Sequence, residues 1–331
     1  MYYIPGMSEK AVIAVLGYGS QGRAWALNLI DSGRDVIVGI PTGDRSRRYA
    51  KKDGITTITT ISKAVARADI IIFAFPDHLH GKVYRNNIAS YLKPGCTLIF
   101  LHALSIHFGQ VIPPDNCDIL LLAPLGPGTA VREKYLAGES IGYFYCIHQN
   151  ATGWADRILK NMIKAMKIDR SAMIETTFAD EAVGDLFGEQ AVLCGGLTEL
   201  IKTGYETLVK DGLSPDKAYL EVAYQLDLII DLIKRYGIEG MYKRISVAAR
   251  YGSLLTGPKI IDRSTKKRMK QILHEIKDGT FAGKLDRMTP DKIKKLESDL
   301  KRMTTPALDK SALKFSPEKS RKTGKSKKSK K

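Results

Sequence analysis

The chain predicts an α/β fold: a Rossmann-type, doubly wound parallel sheet at the N-terminal side, followed by an all-helical domain. Three observations carry this reading. Short, unbroken apolar runs alternate with helix-period segments through the first half. A glycine-rich turn joins the first run to the first such segment. From 181 to about 302, strand signals give way to long helical periods. Unbroken apolar runs are what strands become when helices cover both faces of a parallel sheet. "AVIAVLG" (11–17), "DVIVGI" (35–40), "DIIIFAF" (69–75), "CTLIFL" (96–101) and "DILLLAP" (118–124) are such runs, and "IGYFYCIHQ" (141–149) reads as one more. Between the first two, "SQGRAWALNLIDSG" (20–33) has the period and length of a helix.

In the second half, "LSPDKAYLEVAYQLDLIIDLIKRYG" (213–237) reads as one long helix, opened by Ser214-Pro215-Asp216 and closed by Gly237. It is apolar on more than one face, which predicts burial in a helical core or a subunit interface. The expected division is a dinucleotide-type domain over 1–176, a helical domain over 177–305 and a Lys/Ser-rich tail over 306–331.

Composition bounds the function. With 331 residues, 44% apolar and 26% charged, the chain can build two cores. No apolar run approaches the roughly 20 residues of a membrane span. The start "MYYIPGMSEKAVIAVLGYG" has no basic leader and reads into a first strand. Cys96, Cys117, Cys146 and Cys194 are scattered, with no Cys-x-x-Cys pair. They fit buried thiols in a reducing cytoplasm and argue against zinc. The net charge of +17 is uneven: 310–331 carries ten Lys/Arg against Glu318, which supplies +9 and leaves about +8 for the body. Such a tail is expected to be disordered. It is either a solvated end or a salt-dependent contact for polyanions.

The glycine-rich turn is Gly17-Tyr18-Gly19-Ser20-Gln21-Gly22, a Gly-x-Gly-x-x-Gly that follows a predicted strand and opens a predicted helix. In that context Gly17 makes the tight turn, Gly19 lets backbone approach a pyrophosphate, and Gly22 lets helix pack on strand. The helix N-terminus then faces the anion. The second strand ends in "GIPTGDRSRRYAKK" (39–52). Asp44 could accept from a ribose 2′-hydroxyl, favouring NADH; Ser46 with Arg45, Arg47 and Arg48 could hold a 2′-phosphate, favouring NADPH. Both answers stand in the same loop.

"VGDLFGEQAVLCGG" (183–196) puts Asp185 and Glu189 four apart, one turn apart on one helix face, before a run that reads as buried. Like charges so placed cost a few tenths of a kcal/mol on a surface and more when buried. Glu221 adds a third acid on the long helix. Carboxylates on two helices suit Mg²⁺, a hard cation that takes oxygen ligands. On a plain surface the same acids would form salt bridges.

Three stretches together, "GYGSQGRAWALNLIDSG" (17–33), "DLFGEQAVLCGGLTELIKTGYETLVKDGLSPDKAYLEV" (185–222) and "ISVAARYGSLLTGPKII" (245–261), resemble ketol-acid reductoisomerase in its short form, over about residues 8–285. The resemblance implies a Rossmann domain with a knotted helical domain like that of 6-phosphogluconate dehydrogenase. It implies NADPH or NADH, two Mg²⁺, and a homodimer with a shared active site. The implied reaction is alkyl migration in a 2-hydroxy-3-keto acid such as 2-acetolactate, followed by hydride reduction. By the same resemblance Asp185 bridges the two Mg²⁺, Glu189 ligates one, and Glu221 of the partner subunit serves the other. Ser246 contacts the substrate carboxylate, His102 in "FLHALSIHFG" lies beside the nicotinamide, and Gly128 of "APLGPG" (123–128) joins the cofactor loop.

The chain departs from the family pattern at two charged positions. Leu125 replaces the lysine of Ala-Pro-Lys-Gly-Pro-Gly, and Gln225 replaces the second acid of Glu-x-x-x-Glu. Leu125 cannot donate to developing negative charge, a loss commonly costing roughly 10²–10³ in rate. Three functions are therefore weighed: the full reductoisomerase, a relative that only reduces a small 2-keto acid, and a non-catalytic dinucleotide-binding paralogue.

Overall fold

The computed structural model describes residues 11–303 and 305–316. The expectations for the first ten residues and for 317–331 lie outside them. The chain divides into two compact units. One runs to Asp185 and includes Gly279–Arg287; the other comprises Leu186–Asp278 and the residues from Met288 onward.

The first unit is built on an eight-stranded sheet. In chain order it contains β1 (Val12–Leu16), α1 (Ser20–Asp31), β2 (Asp35–Gly39), α2 (Ser46–Lys52), β3 (Ile58–Thr59), α3 (Ile61–Arg67) and β4 (Ile70–Phe73). Then come α4 (His80–Val83), β5 (Thr97–Phe100), α5 (Leu104–His107), β6 (Asp118–Pro124), α6 (Gly128–Leu136), β7 (Tyr143–Gln149), α7 (Ala155–Ala165), β8 (Met173–Glu175) and α8 (Phe178–Phe187), whose last two residues fall in the other unit. The strand order is β3-β2-β1-β4-β5-β6-β7-β8. Strands β1 to β6 pair in parallel; β7 runs antiparallel to β6, and β8 parallel to β7. The order reverses between β1 and β4, which opens a crevice at their carboxyl ends, where ligands of doubly wound sheets bind.

The apolar runs explain themselves in the register of β1. Ile13 and Val15 join the core on one face, Ala14 and Leu16 the core on the other. Alternate residues of a strand point to opposite faces, so a strand covered on both sides needs every position apolar. Each fully buried Ile, Leu or Val contributes about 1.5–3 kcal/mol. Trp25 of α1, fully buried, packs edge-on against Tyr143.

The second unit is helical: α9 (Gly195–Lys210), α10 (Pro215–Tyr219), α11 (Leu226–Tyr242), α12 (Val247–Ile260), α13 (Arg263–Lys277), α15 (Pro290–Met303) and α16 (Pro306–Lys314), while α14 (Thr280–Asp286) belongs to the sheet unit. The segment 213–237 is not one helix. A π-helical turn, Leu220–Tyr224, separates α10 from α11, and Gly237 sits inside α11 with φ 70° and ψ 177°. Glycine tolerates that backbone without a Cβ penalty, so Gly237 kinks the helix and the chain continues to Tyr242.

Three further expectations need correction. The start of the tail is ordered: Pro306–Lys314 is helix, because Pro306 suits the first helical turn and Ser311 and Lys314 both bind Asp216. The run 191–196 is not buried in the single chain; Ala191 is, but Val192, Leu193 and Cys194 are exposed. Nor are the cysteines uniformly buried or scattered: Cys96 and Cys117 are buried with their sulfurs 3.3 Å apart, and Cys146 is half-buried.

Candidate functional site

The crevice at β1 and β4 is shaped by absent side chains. Gly17 has φ +94°, and a β-carbon there would stand 2.7 Å from Ala74 O and 2.9 Å from Phe75 Cβ. A β-carbon on Gly22 would stand 2.5 Å from Gly17 O. Gly19 is the opposite case: it begins α1, is exposed, and meets nothing within 4 Å. The first and third glycines are thus filled by protein, while the middle one faces open space at a helix N-terminus. That is the cradle a pyrophosphate needs, so the residues fit a dinucleotide.

Gly128 closes the cradle from a second loop. A β-carbon on it would fall 2.2 Å from Ser20 O, and Gln21 Nε2 donates to Gly126 O at 2.9 Å. Ser20 is exposed beside Gly19. Tyr18 is buried, and its hydroxyl donates to Asp53 Oδ2 at 3.0 Å. Arg23 grips the same carboxylate through Nε and Nη2 at 2.6 and 2.8 Å. The Arg23 guanidinium holds the Asp53 carboxyl below its usual range, while burial, then Asp53, push the Tyr18 hydroxyl up. Tyr18 therefore braces the loop from behind. Asp53 was not singled out in the sequence; its signal was only its place after the second strand.

Asp44 and Ser46 form one turn. Asp44 Oδ1 accepts from Ser46 N at 2.8 Å and from Ser46 Oγ at 2.7 Å, bonds that lower the Asp44 pKa. Arg47 points back into the fold, donating to Ile40 O and Thr59 O at 2.6 and 3.2 Å. Arg45 and Arg48 remain exposed. Of the three arginines, Arg47 is committed to the backbone.

On the same carboxyl edge of the sheet, after β5, His102 sits among three carboxylates. Its Nδ1 lies 3.6 Å from Asp77 Oδ1; its Nε2 lies 3.1 Å from Asp185 Oδ2 and 3.7 Å from Glu181 Oε2. Burial lowers the imidazole pKa, but Asp185, Asp77 and Glu181 outweigh it and hold His102 well above its ordinary value. Nε2 is buried and completes no aligned hydrogen bond despite these neighbours. Glu181 is buried and accepts Ala103 N–H at 2.8 Å; burial raises its pKa to about 7, against the pull of His102. Desolvation raises the Asp77 pKa, but the histidines more than offset it, so the carboxyl lies below its usual range. Glu181 and Asp77 were missed in the sequence. Glu181 had a signal: Glu181, Asp185 and Glu189 recur every fourth residue, one helix face.

In the helical unit, Glu189 and Glu221 both lie on π-helical turns, Gly188–Leu193 and Leu220–Tyr224. Such turns are rare and frequent at functional sites, although a third, Tyr84–Ile88, carries no acid. The glycine pair after Glu189 explains the first. β-Carbons on Gly195 and Gly196 would stand 2.1 Å from Gln190 O and 2.2 Å from Ala191 O, each five residues back. At the second, Gln225 Nε2 donates to Leu220 O, also five residues back, at 3.2 Å. A glutamate could not make that bond, so Gln225 has a structural use here. Ser246 caps α12, its Oγ accepting from Ala249 N at 3.1 Å. Leu125 is half-exposed and its backbone N–H donates to Gly142 O at 2.9 Å. Among the described residues, no group of three or more His, Cys, Asp or Glu is placed to hold a metal within one chain.

Fold and crevice define a doubly wound, dinucleotide-binding class of protein. Two family models match almost the whole chain: "Acetohydroxy acid isomeroreductase, NADPH-binding domain" over residues 7–172, and "Ketol-acid reductoisomerase, C-terminal domain" over 178–312. A ketol-acid reductoisomerase (NADP(+)) of Methanococcus maripaludis is 45% identical over 280 residues, which cover 85% of this chain and 84% of that one. The solved structure of an NADH-preferring ketol-acid reductoisomerase from an uncultured archean superposes with a TM-score of 0.85 at 36% identity, over 92% of this chain and 93% of that one. A semialdehyde dehydrogenase NAD-binding protein from Cupriavidus necator shares the fold alone, at 18% identity and TM-score 0.62, over 81% and 99% of the two chains. The chain belongs to the ketol-acid reductoisomerase family.

Proposed function

We propose that this chain converts 2-acetolactate to 2,3-dihydroxy-isovalerate by alkyl migration and hydride reduction, a step of branched-chain amino-acid synthesis in the cytoplasm. The observation that carries the reading is the crevice: an open Gly19 cradle on the same sheet edge as a histidine ringed by carboxylates. The family assignment gives that pairing its chemistry.

Gly17, Gly19, Gly22 and Gly128, with the backbone at Ser20 and Gln21, seat the pyrophosphate of NADPH or NADH, the hydride source. Asp44 and Ser46 meet the adenosine ribose. For metal, the donor set is all carboxylate oxygen, the chemistry of Mg²⁺: Asp185 and Glu189 from one chain, with Glu221 of the partner subunit. Bound Mg²⁺ supplies Lewis acidity at the ketone and hydroxyl oxygens of the substrate. Asp77 orients His102 from Nδ1, and Nε2 holds a proton toward the Asp185 carboxylate 3.1 Å away. Ser246, its oxygen already accepting from Ala249, keeps its hydroxyl proton to donate to the substrate carboxylate.

A homodimer follows from the same reading. Leu228, Ile230, Tyr251, Leu254 and Leu255 of α11 and α12 are exposed in the single chain. Exposed apolar side chains in such number suit an association face, and a second copy would cover them while bringing its acid to the metals.

Leu125 favours one competing reading. With an apolar side chain where the family has a lysine, migration can be lost while hydride transfer to a 2-keto acid survives. Absorbance at 340 nm with Mg²⁺, 2-acetolactate and either NADPH or NADH decides. Mg²⁺-dependent oxidation supports the reductoisomerase and names its cofactor. A flat trace with 2-acetolactate and turnover of a 2-keto acid supports the reductase, and nucleotide binding without any turnover leaves a non-catalytic paralogue.

A further inference from the structure

The last described segment of the chain is fastened on both sides of the turn that bears Glu221. Before that turn, Asp216 at the start of α10 receives two groups from α16: Ser311 Oγ donates to Oδ1 at 2.7 Å, and the Lys314 ammonium pairs with Oδ2. Lys314 and Ser311 together hold the Asp216 carboxyl below its usual range. Ser311 is buried at 2% exposure, so this contact is part of the packed structure. Beyond α16, Phe315 stacks on Tyr219, with ring centroids 6.2 Å apart and planes 14° apart, and meets Tyr224 edge-on at 6.5 Å. Tyr219 and Tyr224 also touch each other, at 6.3 Å. Tyr219 immediately precedes the π turn Leu220–Tyr224 and Tyr224 ends it. The three rings therefore bracket Glu221.

A π turn is a rare single-turn departure from the α-helical ladder, so contacts from neighbouring elements help to hold it. Here Val222 of the turn faces Gly204 of α9, and α16 with Phe315 adds support at both ends of the turn. The cleft between α10 and α16, about 950 Å³ and open to solvent, is lined by Pro215, Ala307 and Leu313 among others. Beside that cleft, the Asp216 clasp and the aromatic triad are the specific contacts that fasten α16.

We propose that α16 and Phe315 are positioning elements for Glu221: clasped to Asp216 and stacked on Tyr219 and Tyr224, they hold the π turn so that the Glu221 carboxylate is presented to Mg²⁺ across the dimer. This rests on the reading of Glu221 as a metal ligand. Supporting residues around metal ligands commonly change metal affinity by about 10–100-fold when removed, and a strap of this kind acts on metal binding without touching the nucleotide cradle.

The test is a calorimetric Mg²⁺ titration of the full-length protein, run beside steady-state kinetics against Mg²⁺ and against nicotinamide cofactor. The variants are Phe315→Ala, Phe315→Tyr and the double change Ser311→Ala with Lys314→Met. Phe315→Ala is expected to weaken Mg²⁺ binding by about 10-fold or more, leave the cofactor KM unchanged, and be rescued by Phe315→Tyr. If Phe315→Ala does not fold, the double change carries the same expectation with a smaller shift. Wild-type Mg²⁺ affinity in every folded variant overturns the strap alone. Mg²⁺ and cofactor affinities falling together, with no rescue by tyrosine, also overturn it, since that is general loosening. No Mg²⁺ binding by the unmodified protein overturns the metal reading and the strap with it.

Discussion

Ile13, Val15, Leu16 and Ile37 of the sheet unit are at most 2% exposed, whereas Leu228, Ile230, Tyr251 and Leu254 of the helical unit stand at 40–69%. The first unit buries its apolar residues on both faces of a sheet and completes a nucleotide cradle from its own loops. The second leaves many large apolar side chains outside and carries Glu189 and Glu221 on π turns. The sheet unit buries these side chains within the single chain; the helical unit leaves apolar side chains that the proposed homodimer would cover. The comparison separates what each half contributes: the sheet unit holds the nucleotide cradle, and the helical unit carries Glu189 and Glu221, the acids of the proposed metal site.

The sharpest way to break this comparison is at its metal side. Asp185→Asn removes a charge from the set around His102 and from the proposed metal bridge. Turnover is expected to fall by about 10³-fold or more, with nucleotide binding by the sheet unit unchanged. Steady-state kinetics beside cofactor fluorescence check it, and wild-type turnover would sink the two-metal reading.

Next in size is the lysine position. Leu125→Lys is expected to raise kcat by about 10²-fold if that side chain is the missing donor. Gln225→Glu restores a charge but gives up the bond to Leu220 O, so it is expected to help only together with Leu125→Lys. The four-way comparison of kcat in wild type, both singles and the double measures this coupling. No gain in any variant means the site uses another cation.

The cradle tests the other half. Gly128→Val puts side-chain atoms into Ser20, where even a β-carbon would be 2.2 Å from the backbone oxygen. Overpacking of this kind costs about 1–3 kcal/mol. Thermal unfolding should show that loss, with a raised cofactor KM and an unchanged affinity for Mg²⁺. Equal damage to both affinities would mean that the two units are not separable in function.

Much of this was legible in the sequence, for identifiable reasons. The strands β1, β2, β4, β5 and β6 announced themselves because burial on two faces demands unbroken apolar runs. The cradle was legible because only glycine fits at Gly17 and Gly22. The parallel strands β3 and β8 have only two and three residues, too short for any period to show. The π turns were hidden because their residues keep a helical pattern, and five-residue relations such as Gly195 to Gln190 and Gln225 to Leu220 emerge only in three dimensions. Glu181 and Asp77 went unseen because their role is set by His102, which approaches from a distant strand end. Exposure of 192–194 could not be foreseen, since an apolar run reads the same whether its own chain or a second one covers it.

The smallest expected effect lies in the brace behind the cradle, and pH reads it. Asp53 is depressed in the folded state, chiefly by Arg23. A carboxyl so shifted contributes stability that is present above its unfolded pKa, about 3.9, and is lost as pH falls through the lower folded value. Because Arg23 is half-exposed in this pair, its worth is about 1 kcal/mol at most. Arg23→Ala should therefore lower Tm slightly at pH 7, and the gap to wild type should close as pH falls below about 4. The cofactor KM should rise modestly in the same variant, because Tyr18 Oη and Arg23 share one carboxylate and the loop loses one of its two anchors there. Should the Tm gap persist unchanged in acid, the ion pair would not be the source of the stability, and Arg23 would be acting through its packing on α1 instead.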